Sequence, residues 1–356
     1  MSAMLAGLVI SVQYVATLVS RPWTGRLSDR VGGKVAVEWG LGTIALSGAL
    51  LMVAAFLAPG HRRAGFLMLI VSRLALGTGE SLTSTGSTLW SISAHGPRHT
   101  AKVISFNGIS TYGGMALGAP LGVVLNQHGG LGAIGGFVLL LCVATMLIAS
   151  RKRAVAVLPG EQLSFGAVLG RVVPHGMVLA FAGTGFSVLA TFITLFYLAM
   201  HWNGAALCLS VFGLTYVATR LLFIQTINRF GGFRVAQVSL AVEFMGVVQL
   251  WMAGSPMAAL AGSAFTAIGF ALIFPAIGVE AVKRVPEQSR GAALGVYTAF
   301  ADISFFLTGP LAGAVIGGYG YRSVFLLPMG CVTAAWAVAF ALSHANRQSA
   351  RLAETA

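Results

Sequence analysis

Long apolar stretches separated by short polar connections run through the whole chain. Eleven of them can be drawn, and each is long enough to cross about 30 Å of hydrocarbon as a helix. They cover residues 3–20, 36–58, 66–94, 102–126, 131–150, 174–200, 205–227, 234–253, 257–283, 291–316 and 322–343. A soluble domain of this length could not bury so much apolar surface. The pattern therefore predicts an all-α integral membrane protein.

The composition agrees with this prediction and offers no enzymatic chemistry. Of the 356 residues, 57% are hydrophobic and only 9% are charged, whereas a soluble domain carries about a quarter charged residues. Cys142, Cys208 and Cys331 lack paired spacing, and the histidines are dispersed, so neither a disulfide nor a metal site is indicated. There is no phosphate-binding loop, and Gly77-Thr78-Gly79 fails as a dinucleotide motif because Leu82 occupies the final glycine position. We expect no cofactor, no metal and no enzyme activity.

The chain has a formal charge of +13, and the distribution of its basic residues over the linkers indicates the topology. Eighteen of the 22 Lys and Arg lie in or beside the linkers after segments one, three, five, seven and nine, or in the C-terminal tail. The opposite linkers hold Arg62, Arg63 and Arg322. By the positive-inside rule the richer side, with the C-terminus, is cytoplasmic. Because the basic residues are not gathered on one polar face, we expect a lipid bilayer and no nucleic acid as partner, and a monomer.

One charged, glycine-containing turn, Arg21–Val35, occurs twice. A shift of 199 places Arg21 on Arg220, Asp29 on Asn228 and Gly32-Gly33 on Gly231-Gly232. This repeat predicts two halves. They are a five-helix bundle (1–150) and a six-helix bundle (174–343), with a cytoplasmic linker (151–173) and a cytoplasmic tail (344–356). The turn follows the first helix in one half and the second helix in the other, so we expect that one N-terminal helix of twelve is missing from this sequence.

The first copy of the turn resembles the loop signature between the second and third helices of the major facilitator superfamily. The matching residues are Gly25, Leu27, Asp29, Arg30, Gly32 and Lys34; Gly33 stands where the pattern usually has a basic residue. The resemblance implies a gating loop formed by Gly25, Asp29, Arg30, Gly32 and Lys34. It also implies that Asp29 meets the N-terminus of segment 291–316. The alternative is a loop that only sets topology.

Two further motifs extend the resemblance over the whole chain. Arg73 with Gly77 and Gly79 resembles the motif of the family's fourth helix. The set Gly114, Gly118, Pro120 and Gly122 resembles the glycine–proline motif of the fifth helix, which is typical of proton antiporters, although Ala119 interrupts it. The chain is similar to a bacterial arabinose- or drug-efflux-like branch that would lie in the inner membrane.

This resemblance implies two rocking bundles with a midplane site between them. The implied function is efflux of a small organic compound, sugar or drug-like, in exchange for protons. Three alternatives stay open. The protein could be an uptake symporter or facilitator, a non-transporting membrane sensor or scaffold, or an inactive truncated form.

Four ionisable residues inside apolar segments are candidates for coupling and substrate binding. Arg73 and Glu80 are seven apart on one helix face, about 10.5 Å along the axis. We expect Arg73 to bind an anionic substrate or tune a proton carrier, and Glu80 to exchange protons; the alternative is a structural network. Asp302 has polar neighbours and is the better of the two remaining carboxyls. Glu243 lacks them and is expected to pair within the bundle.

Two sets of uncharged residues complete the candidates. The possible cavity residues are Gln13, Tyr14, Trp90, Asn107 and Tyr112, although aromatic residues in membrane helices more often pack or anchor. The glycine–proline elements are Gly114, Gly118, Pro120 and Gly122 in the first half and Gly309, Pro310 and Gly313 in the second. Small residues four apart predict close helix packing, and proline predicts a kink.

Overall fold

A computed structural model describes residues 3–155 and 163–355 of the chain. Within those ranges it contains α-helices and three short 3₁₀ turns, and no strand. The helices are α1 (Ala3–Val31), α2 (Gly33–Leu57), α3 (Arg62–His95), α4 (Thr100–Ser150), α5 (Phe165–Ala199), α6 (Ala206–Phe223), α7 (Gln225–Phe230), α8 (Gly232–Met252), α9 (Pro256–Val282), α10 (Arg290–Tyr319) and α11 (Leu326–Thr355).

The helices confirm the all-α membrane architecture. In the described part of the chain, nine stretches are helical, long enough and apolar enough to cross a bilayer. The other two predicted segments, 3–20 and 102–126, are helical as well and belong to α1 and α4. Gly130 has non-helical angles (φ 63°, ψ −160°) and divides α4 into two parts. That division lies between the predicted segments 102–126 and 131–150.

The predicted polar connections are shorter than expected because the helices continue beyond their apolar parts. The charged turn is mostly helix: α1 runs on to Val31, and Gly32, with φ 90°, separates it from α2. The second copy is α7 followed by Gly231, with φ 85°. Helix α5 begins inside the predicted linker 151–173, and α11 extends through the predicted tail to Thr355. Linker residues 156–162 lie outside the described part.

The helices form two compact units, which are not simply the two halves in chain order. Unit 1 comprises Met1–Pro97, Gly114–Val168 and Val285–Ala299. Unit 2 comprises Arg98–Gly113, Leu169–Arg284 and Phe300–Ala356. Each unit therefore includes the first part of a helix whose remainder belongs to the other. The start of α10 packs in unit 1, and the start of α4 packs in unit 2.

Glycines bring the helices of each unit into close contact. In unit 1, α2 lies against α3 where a Cβ on Gly40, Gly79 or Gly86 would meet backbone or side-chain atoms at 3.0 Å or less. In unit 2, α8 lies against α9 in the same way at Gly246, Gly262 and Gly269. Small residues at these crossings let the backbones approach, which is how helices associate in lipid. These crossings define the cores of the two units.

The glycine–proline elements do not provide such contacts, so the close packing predicted for them is wrong. Among the described residues, a Cβ added to Gly114, Gly118, Gly122, Gly309 or Gly313 would meet no atom within 4 Å. In the structure these glycines face open space, whereas the crossings above bring helices together. The side chains of Pro120 and Pro310 lie outside the described residues.

Candidate functional site

A polar network of three side chains joins α1 to α3 inside unit 1. The Gln13 amide donates from Nε2 to Glu80 Oε2 at 3.4 Å, and its Oε1 accepts from Arg73 Nη1 at 3.4 Å. All three side chains are half-buried. A single amide thus links a cation and a carboxyl that are two helical turns apart on α3.

Close approach of the two helices positions this network. At Gly77 a Cβ would collide with the Gln13 carbonyl oxygen and would lie 2.9 Å from the Thr17 hydroxyl. That hydroxyl in turn contacts the carbonyl oxygens of Gln13 and Gly77, at 3.0 and 3.2 Å. Gly77 therefore lets α1 lie directly on α3, with Gln13 between Arg73 and Glu80. The i, i+7 spacing predicted the pair on α3, but not the bridging role of Gln13.

Asp29 binds the start of α10, as the resemblance implied. Its two carboxylate oxygens accept the backbone N–H groups of Gly291 and Ala292, each at 2.7 Å. The first N–H groups of a helix have no partner within the helix and carry partial positive charge, so a carboxylate is a favourable acceptor there. Asp29 lies beyond the apolar segment 3–20. Burial raises its pKa to about 7, while the N–H groups of Ala292 and Gly291 act in the opposite direction.

Three glycines make this contact possible. A Cβ on Gly25 would collide with the Gly291 carbonyl oxygen, and one on Gly295 would collide with the carbonyl oxygen of Arg21. A Cβ on Gly291 would lie 2.5 Å from Asp29 Oδ1. Gly25 belongs to the predicted loop signature, but Gly291 and Gly295 were missed. Their spacing of four was the available signal, but Gly114 and Gly118 have the same spacing and make no such contact among the described residues.

The rest of the predicted gating loop lies around the same contact. The Lys34 ammonium donates to the carbonyl oxygens of Ser150 and Lys152, at 3.0 and 2.8 Å, and forms an ion pair with Glu38 at 3.6 Å. Arg30 is exposed. A small cavity of about 40 Å³ adjoins Asp29 and Gly32, and Trp90 lines it.

Trp90 is therefore misplaced in the predicted cavity set. Its indole donates to the Arg153 carbonyl oxygen at 3.1 Å, beside the Asp29 contact. It lies ten residues along α3 from Glu80, about 15 Å away along the helix axis. Aromatic character gives no information about depth along a helix, which is why the sequence could not separate these positions. Tyr14, 40% exposed, is near Gln13 in the chain.

Tyr112 and Asn107 belong to unit 2, and Tyr112 is part of an aromatic cluster there. Its ring contacts Tyr216 with centroids 4.3 Å apart and Phe186 at 5.6 Å. The Phe186 ring also packs on Phe212. These contacts favour the packing interpretation of Tyr112. Asn107 is half-buried on the first part of α4.

Arg220 is the residue that sequence reasoning missed most clearly, because the repeat aligned it with Arg21 without assigning it a role. It is 1% exposed, and Nη1 donates to the carbonyl oxygens of Ser105 and Ile104, at 3.0 and 3.3 Å. Its Nε donates to the Ala271 carbonyl oxygen at 2.8 Å. Gly108 leaves room for the guanidinium, since a Cβ there would collide with it. Arg220 thereby fixes the start of α4 within unit 2. Its alignment with Arg21 was the available signal.

The two remaining carboxyls occupy different environments. Asp302 is 7% exposed on α10, near Ser304 and Thr308. Glu243 is fully buried, and no partner for either of its carboxyl oxygens occurs among the described residues. Its Oε1 would lie 2.5 Å from a Cβ on Gly185. The predicted pairing of Glu243 is therefore wrong: it packs against small residues instead of a counter-ion.

The acidic groups Glu38 and Glu280 form ion pairs with Lys34 and Lys283. Glu280 contacts Lys283 at 3.1 Å and accepts the Gly232 N–H at 3.3 Å. In the part of the chain that the structure describes, no group of three His, Cys, Asp or Glu side chains could hold a metal ion.

Comparison of the sequence identifies a family. The Major Facilitator Superfamily profile matches residues 1–208 and 176–355. An uncharacterized MFS-type transporter of Burkholderia pseudomallei (strain 1106a) is 50% identical over 342 residues, which are 96% of this chain and 83% of that protein. Another from Pseudomonas aeruginosa (strain UCBPP-PA14) is 48% identical over 346 residues, covering 97% and 86% of the two chains.

Solved structures show the same fold at low identity. The human organic anion transporter MFSD10 (TETRAN) has a TM-score of 0.80 and 17% identity, with 94% of this chain and 83% of that chain covered. The fucose:proton symporter FucP of E. coli, solved as a single-substitution variant, has a TM-score of 0.74 and 14% identity, with 95% and 90% covered. With the all-helical architecture, the profile match and the relatives at half identity, the chain belongs to the major facilitator superfamily and is a multi-pass membrane transporter of that family.

Proposed function

We propose that this transporter moves a small organic compound, sugar or drug-like, out of the cell in exchange for protons. The observation that carries the proposal is the half-buried network of Arg73, Gln13 and Glu80. Ionisable groups within membrane helices are costly and mark substrate or ion pathways. A passive scaffold or sensor would gain little from them. We place the protein in the inner membrane with its C-terminus in the cytoplasm, because of its charge distribution.

The network offers a route for coupling substrate to proton. An anionic group on the substrate would bind the Arg73 guanidinium, for which it would compete with the Gln13 carbonyl oxygen. Release of that oxygen frees the amide to rotate, which changes the hydrogen bond that Glu80 accepts. The affinity of Glu80 for a proton then depends on whether the substrate is bound. This linkage is what proton exchange requires.

Glu80 suits proton exchange better than the buried carboxyl of Glu243. A proton carrier must meet water at some stage, and Glu80 is half-buried whereas Glu243 is sealed at 0% exposure. Asp302 keeps a supporting role as a second carboxyl, in unit 2. The Asp29 contact with α10 serves as the latch that stabilises the outward-facing state.

The test is a flux measurement in vesicles that contain a pH-sensitive dye. Substrates are first found by screening organic anions, sugars and cationic drugs for thermal stabilisation of the purified protein. A substrate gradient should then drive protons in the opposite direction, and Glu80→Gln should abolish this pH change while substrate exchange persists. Glu280→Gln is the matched control and should leave the pH change intact, because Glu280 pairs with Lys283, outside both the network and the gating loop.

The sign of the pH change separates the rival mechanisms. Protons that move with the substrate would indicate uptake by symport, and substrate flux without proton movement would indicate a facilitator. A stabilising ligand that is never transported would favour a sensor. Unchanged pH dependence in Glu80→Gln would remove Glu80 from the coupling mechanism.

A further inference from the structure

An apolar groove lies on the surface of unit 2. Helices α6 and α8 both pack on α9, and the groove runs between them with Ile268 and Leu272 of α9 as its floor. Its volume is about 470 Å³. The walls include Phe223 and Phe230 on one side and Val235, Val238 and Val242 on the other. Phe223, Phe230 and Val238 are 49%, 48% and 66% exposed, so the groove offers apolar surface to a lipid chain.

One end of the groove is positively charged. Arg234 lines it at the start of α8, and the guanidinium of Arg229 lies 5.2 Å from the ring centroid of Phe230, which forms the same wall. From Arg234 to Val242 is eight residues of helix, so the groove extends about 12 Å from the charged end. None of the described residues that line the groove is acidic.

The basic residues near the paired glycines have different neighbours in the two copies of the repeated turn. In unit 1, Lys34 follows the paired glycines and is neutralised by Glu38, four residues on, and by two carbonyl oxygens. In unit 2, Phe233 follows the paired glycines in the place of Lys34, and Gln237 stands in the place of Glu38; Arg234 is the next residue after Phe233 and has Val238 four residues on. Among the described residues, neither Arg229 nor Arg234 has an acidic side chain within ion-pair distance. The nearby Glu280 is engaged by Lys283 and the Gly232 N–H.

We infer that this groove binds an anionic phospholipid, whose acyl chain lies between α6 and α8 and whose phosphate meets Arg229 and Arg234. The apolar walls match the chain, and the two arginines match the headgroup. Arginine binds phosphate through parallel hydrogen bonds, and basic pockets between membrane helices are suited to anionic headgroups. A zwitterionic lipid would gain the chain contacts without the full charge interaction. The site does not depend on which substrate the protein carries.

The test is native mass spectrometry of the purified full chain, with equal amounts of phosphatidylglycerol and phosphatidylcholine of the same acyl chains. The unmodified protein should retain phosphatidylglycerol preferentially, by roughly fivefold for each arginine. The double variant Arg229→Gln/Arg234→Gln should bind the two lipids equally. Arg151→Gln, which removes an exposed arginine outside the groove, is the matched control and should keep the preference.

A second variant tests whether the acyl chain binds in the groove. Val242→Phe should narrow the groove and reduce retention of both lipids, with the arginines unchanged. Circular dichroism and gel filtration verify that each variant is folded. Equal retention of the two lipids by the unmodified protein would overturn the inference, as would an undiminished preference in the double arginine variant. Full lipid retention by Val242→Phe would overturn the placement of the chain.

Discussion

At the scale of single residues, the polar groups fall into two classes. Some make hydrogen bonds within their own helix, and others join distant parts of the chain. Hydroxyls such as Thr298 and Thr308 donate to carbonyl oxygens of their own helix. Asp29, Gln13 and Arg220 instead make contacts between residues far apart in sequence. The sequence predicted Asp29 through a motif with fixed spacing. It could not predict the contacts of Gln13 or Arg220, which depend on how helices pack.

The Asp29 contact should respond to pH because its carboxyl is buried. Burial raises the pKa of Asp29 to about 7, whereas a separated, hydrated carboxyl has a pKa of about 3.9. The bound form therefore takes up a proton more readily than the separated form. The stabilisation of the contact by proton uptake on Asp29 is complete below about pH 4 and is lost as the pH rises through about 7.

Hydrogen exchange provides the measurement. Corrected for intrinsic rates, the protection of the Gly291 and Ala292 amides should fall by about tenfold between pH 6 and pH 8. Asp29→Asn removes the titrating group, so the protection of these amides should not change over this range. A pH-dependent loss of the same size in Asp29→Asn would show that another group controls the contact.

At the scale of helices, hydropathy identified the membrane segments but not their ends. It measures the part of a helix that lipid favours, whereas the hydrogen-bonded backbone continues as long as no residue interrupts it. The charged end of α1 continues to Val31, and α5 begins well before its apolar part. The glycines that face open space and those at helix crossings have the same local spacing. Only the packed structure separates Gly114 from Gly295.

The crossing of α1 and α10 should be intolerant of any side chain. Gly291→Ala or Gly295→Ala forces a Cβ into atoms of Asp29 or Arg21. Such overpacking costs about 1–3 kcal/mol of unfolding free energy. Gly317→Ala is the control on the same helix, since a Cβ there meets nothing within 4 Å. Unfolding in detergent, followed by circular dichroism, measures the difference; equal stability of all three variants would contradict the crossing.

At the scale of the whole molecule, the sequence predicted the class of protein because composition and the doubled turn are global properties. It did not predict that each compact unit would include the start of a helix from the other half of the chain. That exchange depends on contacts such as Asp29 with α10 and Arg220 with α4, which no periodicity reports. The division into 1–150 and 174–343 follows the chain order, whereas the packing does not.

The predicted orientation can be tested with single cysteines in a variant whose three native cysteines are replaced. Gly60→Cys lies between α2 and α3, where a side chain has open space, and Ala94→Cys lies exposed at the other end of α3. By the positive-inside rule, a membrane-impermeant maleimide should label Gly60→Cys in intact cells. Ala94→Cys should react only after the membrane is permeabilised. Labelling in the reverse order would invert the topology.

The two copies of the charged turn make different contacts, so one copy cannot replace the other. In the first, a carboxylate accepts hydrogen bonds from the start of α10; in the second, a guanidinium donates them to carbonyl oxygens in α4. A chimera with residues 220–234 in place of 21–35 would bring Asn228 to the place of Asp29, and the N–H groups of α10 would lose their carboxylate. Replacing the first turn by the second would therefore remove a contact that the second turn cannot supply.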